Sequence, residues 1–238
     1  KADLQQPIDI SIPLEPGDNK VNCFYAPPVE IWPVVAGDFV GSTEEGGLLN
    51  FKNVKLNPHG NGTHTECVGH IAKEKYTINR CLKQFHQIAK LVTIEPKVLS
   101  NGDRIIFWEQ LEKVVSASEV SALIVRTLPN DTSKLSRNYS GINPPYFHFD
   151  TIRYLVECGV DHLLTDLPSV DKEQDGGRLL AHKAFWLYPR NVRHWATITE
   201  LIYVPEEVKD GMYLLNMQIT SLELDASPSK PVIYRIQE

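Results

Sequence analysis

Between His59 and His70 the chain reads His-Gly-Asn-Gly-Thr-His-Thr-Glu-Cys-Val-Gly-His, so three of its eight histidines and one glutamate fall within twelve residues. Imidazole nitrogens and carboxylate oxygens are the usual protein ligands of zinc, manganese and iron, and a cation so held with one position open makes hydroxide from water at neutral pH. His64 and Glu66 are two apart, so an extended segment presents both on one face. His70 follows at even spacing beyond Gly69, where the chain is free to bend and turn the imidazole toward whatever the first two side chains hold. Gly60 and Gly62 allow backbone close to a ligand, and the Thr63 hydroxyl is available to fix a neighbouring group. The competing reading is plain. Gly-Asn-Gly is an ordinary turn signal, and a His-x-Glu pair in a surface loop is not by itself a metal site.

Gly62-Thr63-His64-x-Glu66-x-x-x-His70 resembles the His-x-Gly-Thr-His-x-Asp-x-Pro-x-His signature of the cyclase family of metal-dependent hydrolases, which includes bacterial kynurenine formamidase and isatin hydrolase. It departs from that signature in three places. The first histidine stands at His59, one residue before the family's place at Gly60; Glu66 replaces aspartate, keeping the charge on a longer arm; and Val68 replaces proline. Further on, the stretch from Thr165 to Asp171 is similar to the family's Gly-x-Asp-x-x-Ser-x-Asp element, with Asp166, Ser169 and Asp171 in place. Ala181-His182-Lys183 resembles its ligand-histidine segment, and Ile198-Thr199-Glu200-Leu201 the strand that supplies its metal-binding glutamate. The interval from His182 to Glu200 is longer than is common in the family, which makes His194 a rival. His182 is preferred because it follows the Ser-x-Asp element at the expected place.

The resemblance implies an α/β fold, the swivelling β/β/α domain of the cyclase family with a mixed sheet and helices outside, formed by residues 1–238 as one domain. It implies a divalent cation, zinc ahead of manganese, held by His59, His64, Glu66 and His182 with Glu200 near or on it. His70 takes the place of the family's proton-transfer histidine, a role Glu200 could share. The substrate class is a small aryl formamide or cyclic amide, of which N-formylkynurenine is the best-known type, and the assembly a homodimer or homotetramer in which aromatic residues of one subunit border the pocket of another. Two other readings stand beside this one. A degenerate member would bind a metal or small ligand without catalysis, a view motivated by His59, Glu66 and Val68. In the other, the histidines are structural groups of an oligomer interface.

The rest of the chain must position these residues. With 238 residues and 42% hydrophobic content it can bury a sizeable core, and the net charge of -6 without a Lys/Arg stripe argues against nucleic acid as a partner. Cys23, Cys67, Cys81 and Cys158 form no C-x-x-C pair and read as reduced thiols. Alternation turns Cys67 away from His64 and Glu66. No run approaches the roughly 18 apolar residues of a membrane span. The stretch opens at Lys1 without methionine or an apolar segment, compatible with a removed leader, and a cytoplasmic location is expected.

Alternating residues predict strands over Ile8–Leu14 and Phe51–Leu56, the second leading into the signature. Residues 19–47 and 129–145 read as long loops, walls or lids of a pocket, with Tyr25, Trp32 and Phe39 as a candidate aromatic wall. Further strands are expected over Gln87–Glu95, Ser121–Arg126, Val160–Asp166, Ile198–Leu201 and Tyr213–Ile219. Helices are expected over Trp108–Ala117 and Phe149–Cys158, the latter ended by Gly159. The strand–helix–strand unit around Phe149–Cys158 requires at least one parallel pair.

Overall fold

The computed structural model describes residues 1–236. Nine strands form one mixed sheet: β1 (Ile8–Asp9), β2 (His64–Glu66), β3 (His86–Ile94), β4 (Ala122–Thr127), β5 (His162–Thr165), β6 (Thr197–Glu200), β7 (Gly211–Asn216), β8 (Ala226–Pro228) and β9 (Val232–Arg235), in the order β1-β9-β7-β3-β4-β5-β6-β2-β8. The four central strands β3, β4, β5 and β6 run parallel to one another, and antiparallel strands flank them on both sides. The expected parallel pair is therefore one of three.

All six residues of β4 are buried because both faces of the sheet are covered. Leu123 and Val125 pack on one side with Ile152, Leu155, Phe185 and Trp186, while Ala122 and Ile124 pack on the other with Ile78, Leu82, Leu91 and Tyr213. The first group brings in α1 (Phe149–Glu157) and α2 (Leu180–Trp186). Helix α1 buries Ile152 and Leu155 at helical spacing and ends before Gly159, whose φ of 85° is the left-handed conformation that lets a helix stop. The expected α/β class, with a mixed sheet and helices outside, is what the chain adopts.

Several boundaries differ from the sequence reading. Residues 19–47 are not one loop: Glu30–Pro33 pairs with Lys52–Lys55 in a ribbon apart from the main sheet, and Val35–Ala36 pairs with Phe39–Val40 in a second ribbon. The first expected strand shortens to β1, because the Ile12 N–H turns to the Thr63 hydroxyl at 2.8 Å instead of a strand partner. The helix expected over Trp108–Ala117 stops at Leu111. Glu119 accepts the Ser116 N–H at 3.0 Å and Ser118 takes a φ of 57°, so the segment turns back before another helical turn forms. No helix among the described residues is long and apolar enough to cross a membrane.

Candidate metal centre

His64 and Glu66 do not emerge from the end of the preceding strand; they form β2, wedged antiparallel between β6 and β8 with all three residues buried. Register places His64 opposite Glu200 and Glu66 opposite Ile198, so His64, Glu66 and Glu200 share one face. On the other face the Thr65 and Thr199 hydroxyls bond at 2.8 Å. Cys67 turns into the core beside Ile78 and Cys81, away from the cluster as alternation predicts. Burial and the neighbouring Cys81 push its thiol far above its ordinary value, so it stays a protonated core thiol.

Each imidazole is oriented by a bond on its far edge. The Nδ1–H of His64 donates to the Gly62 carbonyl at 3.0 Å, which leaves Nε2 facing Glu200 Oε2 at 3.4 Å. Glu200 in turn is anchored where its Oε1 accepts the Val170 N–H at 3.0 Å. His182, on α2, donates Nδ1–H to Asp171 at 2.6 Å and points Nε2 at Glu66 Oε1, 3.2 Å away. Asp171 also accepts the Ala181 and His182 amides, at 2.8 and 3.1 Å, so one carboxylate satisfies the start of α2 and fixes the tautomer of its histidine. His59 Nδ1 approaches Glu66 Oε2 at 3.2 Å while its Nε2 meets Asp225 Oδ2 at 2.8 Å. His70 Nδ1 lies 3.8 Å from Glu66 and 3.3 Å from the same Asp225 oxygen.

The donor set fits a divalent cation. His64 Nε2, His182 Nε2 and both oxygens of Glu66 are buried without a hydrogen-bond partner of good geometry, and Glu66 lies within ligand-to-ligand reach of His64 in one group and of His182 in another. Leaving a wholly buried carboxylate so exposed to its neighbours without a counter-charge costs several kcal/mol, so the cluster is built around a positive charge. The edge distances support this. Ligand bonds of about 2.0–2.1 Å at a tetrahedral angle put neighbouring donor atoms about 3.3 Å apart, the spacing seen between Glu66 and His59, Glu66 and His182, and His64 and Glu200. Two groups of three with mutual reach, His59/His64/Glu66 and Glu66/His70/His182, share Glu66.

Electrostatics point the same way. Burial alone would depress His59 and His182, yet the carboxylates facing them, Asp225 and Glu66 in the first case and Asp171 and Glu66 in the second, outweigh it and raise both to about 10. Burial opposes ionisation of Glu66, but His70, His182 and His59 hold its carboxyl well below the usual range. Without a cation the two histidines keep protons in its place, so metal binding must displace them.

The structure thus brings His59, His64, Glu66, His70, His182 and Glu200 together. His194 is excluded from the cluster. It is exposed, stacks its edge on Trp195, and lines a cavity of about 490 Å³ with Arg80, Gln87 and His162 at the opposite end of the parallel strands. Asp166 also lies apart, paired with buried Lys134 at 2.7 Å. Ser169 serves only a turn, accepting the Asp171 N–H at 3.1 Å. A side chain at Gly60 would strike Ala26, one at Gly62 Leu14 and one at Gly69 the Tyr76 carbonyl, so all three glycines permit close chain packing. Sequence reasoning missed Asp225. It sits 166 residues from His59, in no motif, and only the pairing of β8 with β2 brings it near.

Comparison with known proteins shows the family and the fold. The family model described as putative cyclase matches residues 5–172. The chain belongs to the cyclase family. That match takes in His59 to His70 and Asp171, while His182, Glu200 and Asp225 lie beyond it. The cyclase-family chain is 25% identical over 239 residues to kynurenine formamidase of Bacillus cereus (strain ATCC 10987 / NRS 248), covering 97% of this chain and 95% of that one. Among solved structures it resembles a potential metal-dependent hydrolase with cyclase activity (TM-score 0.69, 15% identity, 98% and 99% of the two chains). It also resembles isatin hydrolase A from Labrenzia aggregata (TM-score 0.62, 14% identity, 96% and 93%).

Proposed function

We propose that this cyclase-family protein is a metal-dependent amidohydrolase acting on a small aryl formamide or cyclic amide, N-formylkynurenine being the first substrate to try. The observation that carries the reading is the buried Glu66 carboxylate, without a hydrogen bond of good geometry and within reach of His59 and His64 in one group and of His70 and His182 in another. The relatives named kynurenine formamidase and isatin hydrolase support the substrate class. His59, His64, Glu66 and His182 would hold a divalent cation, with Glu200 beside His64; the nitrogen–oxygen donor set suits zinc first and manganese second. When bound, the cation supplies Lewis acidity, acidifying a water and polarising an amide carbonyl.

The remaining work falls to the chain's own side chains. The side chains of His59, His70 and Asp225 are 23%, 31% and 34% exposed, so the cluster opens to solvent on their side while His64, Glu66 and His182 stay dry. Among the six side chains of the expected set, His70 is the most open to an entering water or substrate. It would take a proton from water and deliver it to the leaving nitrogen. Glu200, held by the Val170 amide, would keep one oxygen toward His64 and the cation. The assembly we favour is a homodimer formed through the exposed ribbon of Glu30–Pro33 and Lys52–Lys55.

The test is elemental analysis together with turnover of N-formylkynurenine before and after chelation, in the wild type and in His70→Ala. We expect one divalent cation or more per chain, chelator-sensitive hydrolysis, and a fall of at least about a hundredfold in turnover for His70→Ala with metal content unchanged. Tight metal without hydrolysis of any aryl formamide, lactam or lactone would replace this reading with that of a metal-binding member without catalysis.

A further inference from the structure

The first histidine of the signature is displaced by one residue, and a distant side chain answers the displacement. His64 and His182 each donate Nδ1–H outward, to the Gly62 carbonyl and to Asp171, and present Nε2 to the centre. His59 is turned the other way: Nδ1 faces Glu66 Oε2 at 3.2 Å, and Nε2 faces outward to Asp225 Oδ2 at 2.8 Å. A carboxylate only accepts, so His59 donates Nε2–H to Asp225, and Nδ1, which faces Glu66, is the nitrogen that a cation would take by displacing its proton.

Asp225 is held in place by backbone. Its carbonyl accepts the Cys67 N–H at 3.0 Å, the neighbouring Leu224 carbonyl accepts the Ile78 N–H at 2.7 Å, and the next residue, Ala226, pairs with Glu66. Gly69 leaves the room: a Cβ there would come within 3.2 Å of the Asp225 Cβ. The same Oδ2 reaches His70 Nδ1 at 3.3 Å, and the His59 and His70 rings lie side by side with centroids 4.4 Å apart.

We propose that Asp225 is a positioning residue of the metal centre, whose Oδ2 fixes the ring and tautomer of His59 so that this displaced histidine binds the cation through Nδ1, opposite in sense to His64 and His182. This rests on the reading of the cluster as a metal centre but not on the identity of the substrate. Carboxylates that hold metal-bound histidines typically contribute 10–100-fold in metal affinity, and a mere surface pair contributes little.

The experiment uses the full chain. Zinc affinity is measured by chelator competition, and the visible spectrum of the cobalt(II)-loaded protein reports the ligand field. Wild type, Asp225→Ala, Asp225→Asn, His59→Ala and the double variant His59→Ala/Asp225→Ala are compared, with urea unfolding of the metal-free proteins as a check on folding. Asp225→Ala should weaken zinc about 10–100-fold and shift the cobalt bands, and Asp225→Asn, which keeps an acceptor oxygen, should recover part of the loss. In the His59→Ala background, removing Asp225 should cost little more, because its action passes through His59. Wild-type affinity and spectrum in Asp225→Ala would overturn the proposal, as would losses that add in the double variant, which would make Asp225 a ligand in its own right. A wild type that binds neither zinc nor cobalt would overturn both this and the metal-centre reading. Tight metal without amide hydrolysis would remove only the proposed activity and leave the Asp225 result standing.

Discussion

At the scale of single residues, the site depends on which nitrogen of each imidazole is free, and that is decided by groups behind the ring. Asp171 does this for His182 while accepting two amides at the start of α2. Asp171→Asn keeps the size but loses the charge, and the amide can place its NH₂ where an acceptor is needed. Zinc affinity should fall about 10–100-fold, and the metal-free protein should lose about 1 kcal/mol through the weakened helix start. Chelator competition and urea unfolding read the two effects separately; full affinity in Asp171→Asn would mean that the His182 tautomer is set elsewhere. The residue types were legible in sequence because the signature is local: His59, His64, Glu66 and His70 lie within twelve residues, on a turn, a short strand and the 3-10 turn that follows it. The hydrogen bonds that aim them were not, since Asp171 reaches His182 across 11 residues and Asp225 reaches His59 across 166. Only a motif kept the first contact in view, and nothing local announced the second.

At the scale of elements, the parallel core was the legible part. The apolar runs of β4 and β5 have both faces buried, and continuous apolar composition is the signal such strands leave. Strand β2 was hidden for the converse reason: its residues are His, Thr and Glu, buried because they face a cation site and a threonine pair, so hydrophobic periodicity does not mark it. A second polar device sits at the end of β4. Lys134 and Asp166 are both buried, 2.7 Å apart, and Asp166 also accepts the Thr127 N–H and hydroxyl at 2.8 Å each. Burial pushes the Asp166 carboxyl above its ordinary value, against the pull of Lys134 and Thr127. Lys134→Met strands that carboxylate without its counter-ion and should destabilise the protein by about 3–5 kcal/mol, whereas adding Asp166→Leu to it should recover most of the loss, because an apolar pair of similar volume removes both desolvation costs. Denaturant unfolding of the three proteins decides it; a loss under about 1 kcal/mol in Lys134→Met would mean that water already reaches the pair.

At the scale of the whole molecule, one feature stands apart from the packed sheet. The ribbon of Glu30–Pro33 with Lys52–Lys55 pairs Ile31 with Val54 and Trp32 with Asn53, and Ile31, Trp32 and Val54 are exposed, as are Phe39, Leu48, Leu49 and Phe51 nearby. An isolated two-stranded ribbon is marginal in water, and the exposed Ile31–Val54 pair leaves one of its faces apolar, with Trp32 on the other. A second copy of the chain is the simplest cover, since a two-fold axis lets one patch pair with itself and two-fold dimers are the commonest assemblies. Tyr25, Trp32 and Phe39 read from sequence as a candidate aromatic wall of a pocket; in the proposed dimer Trp32 and Phe39 would lie at the contact between subunits. Sedimentation at micromolar concentration should give a dimer for the wild type, and Ile31→Lys combined with Val54→Lys, which charges one face of the ribbon, should shift it to monomer with metal content retained, because neither residue belongs to the histidine cluster. A monomeric wild type would sink the assignment, and a variant that remains dimeric would move the interface to another face of the sheet.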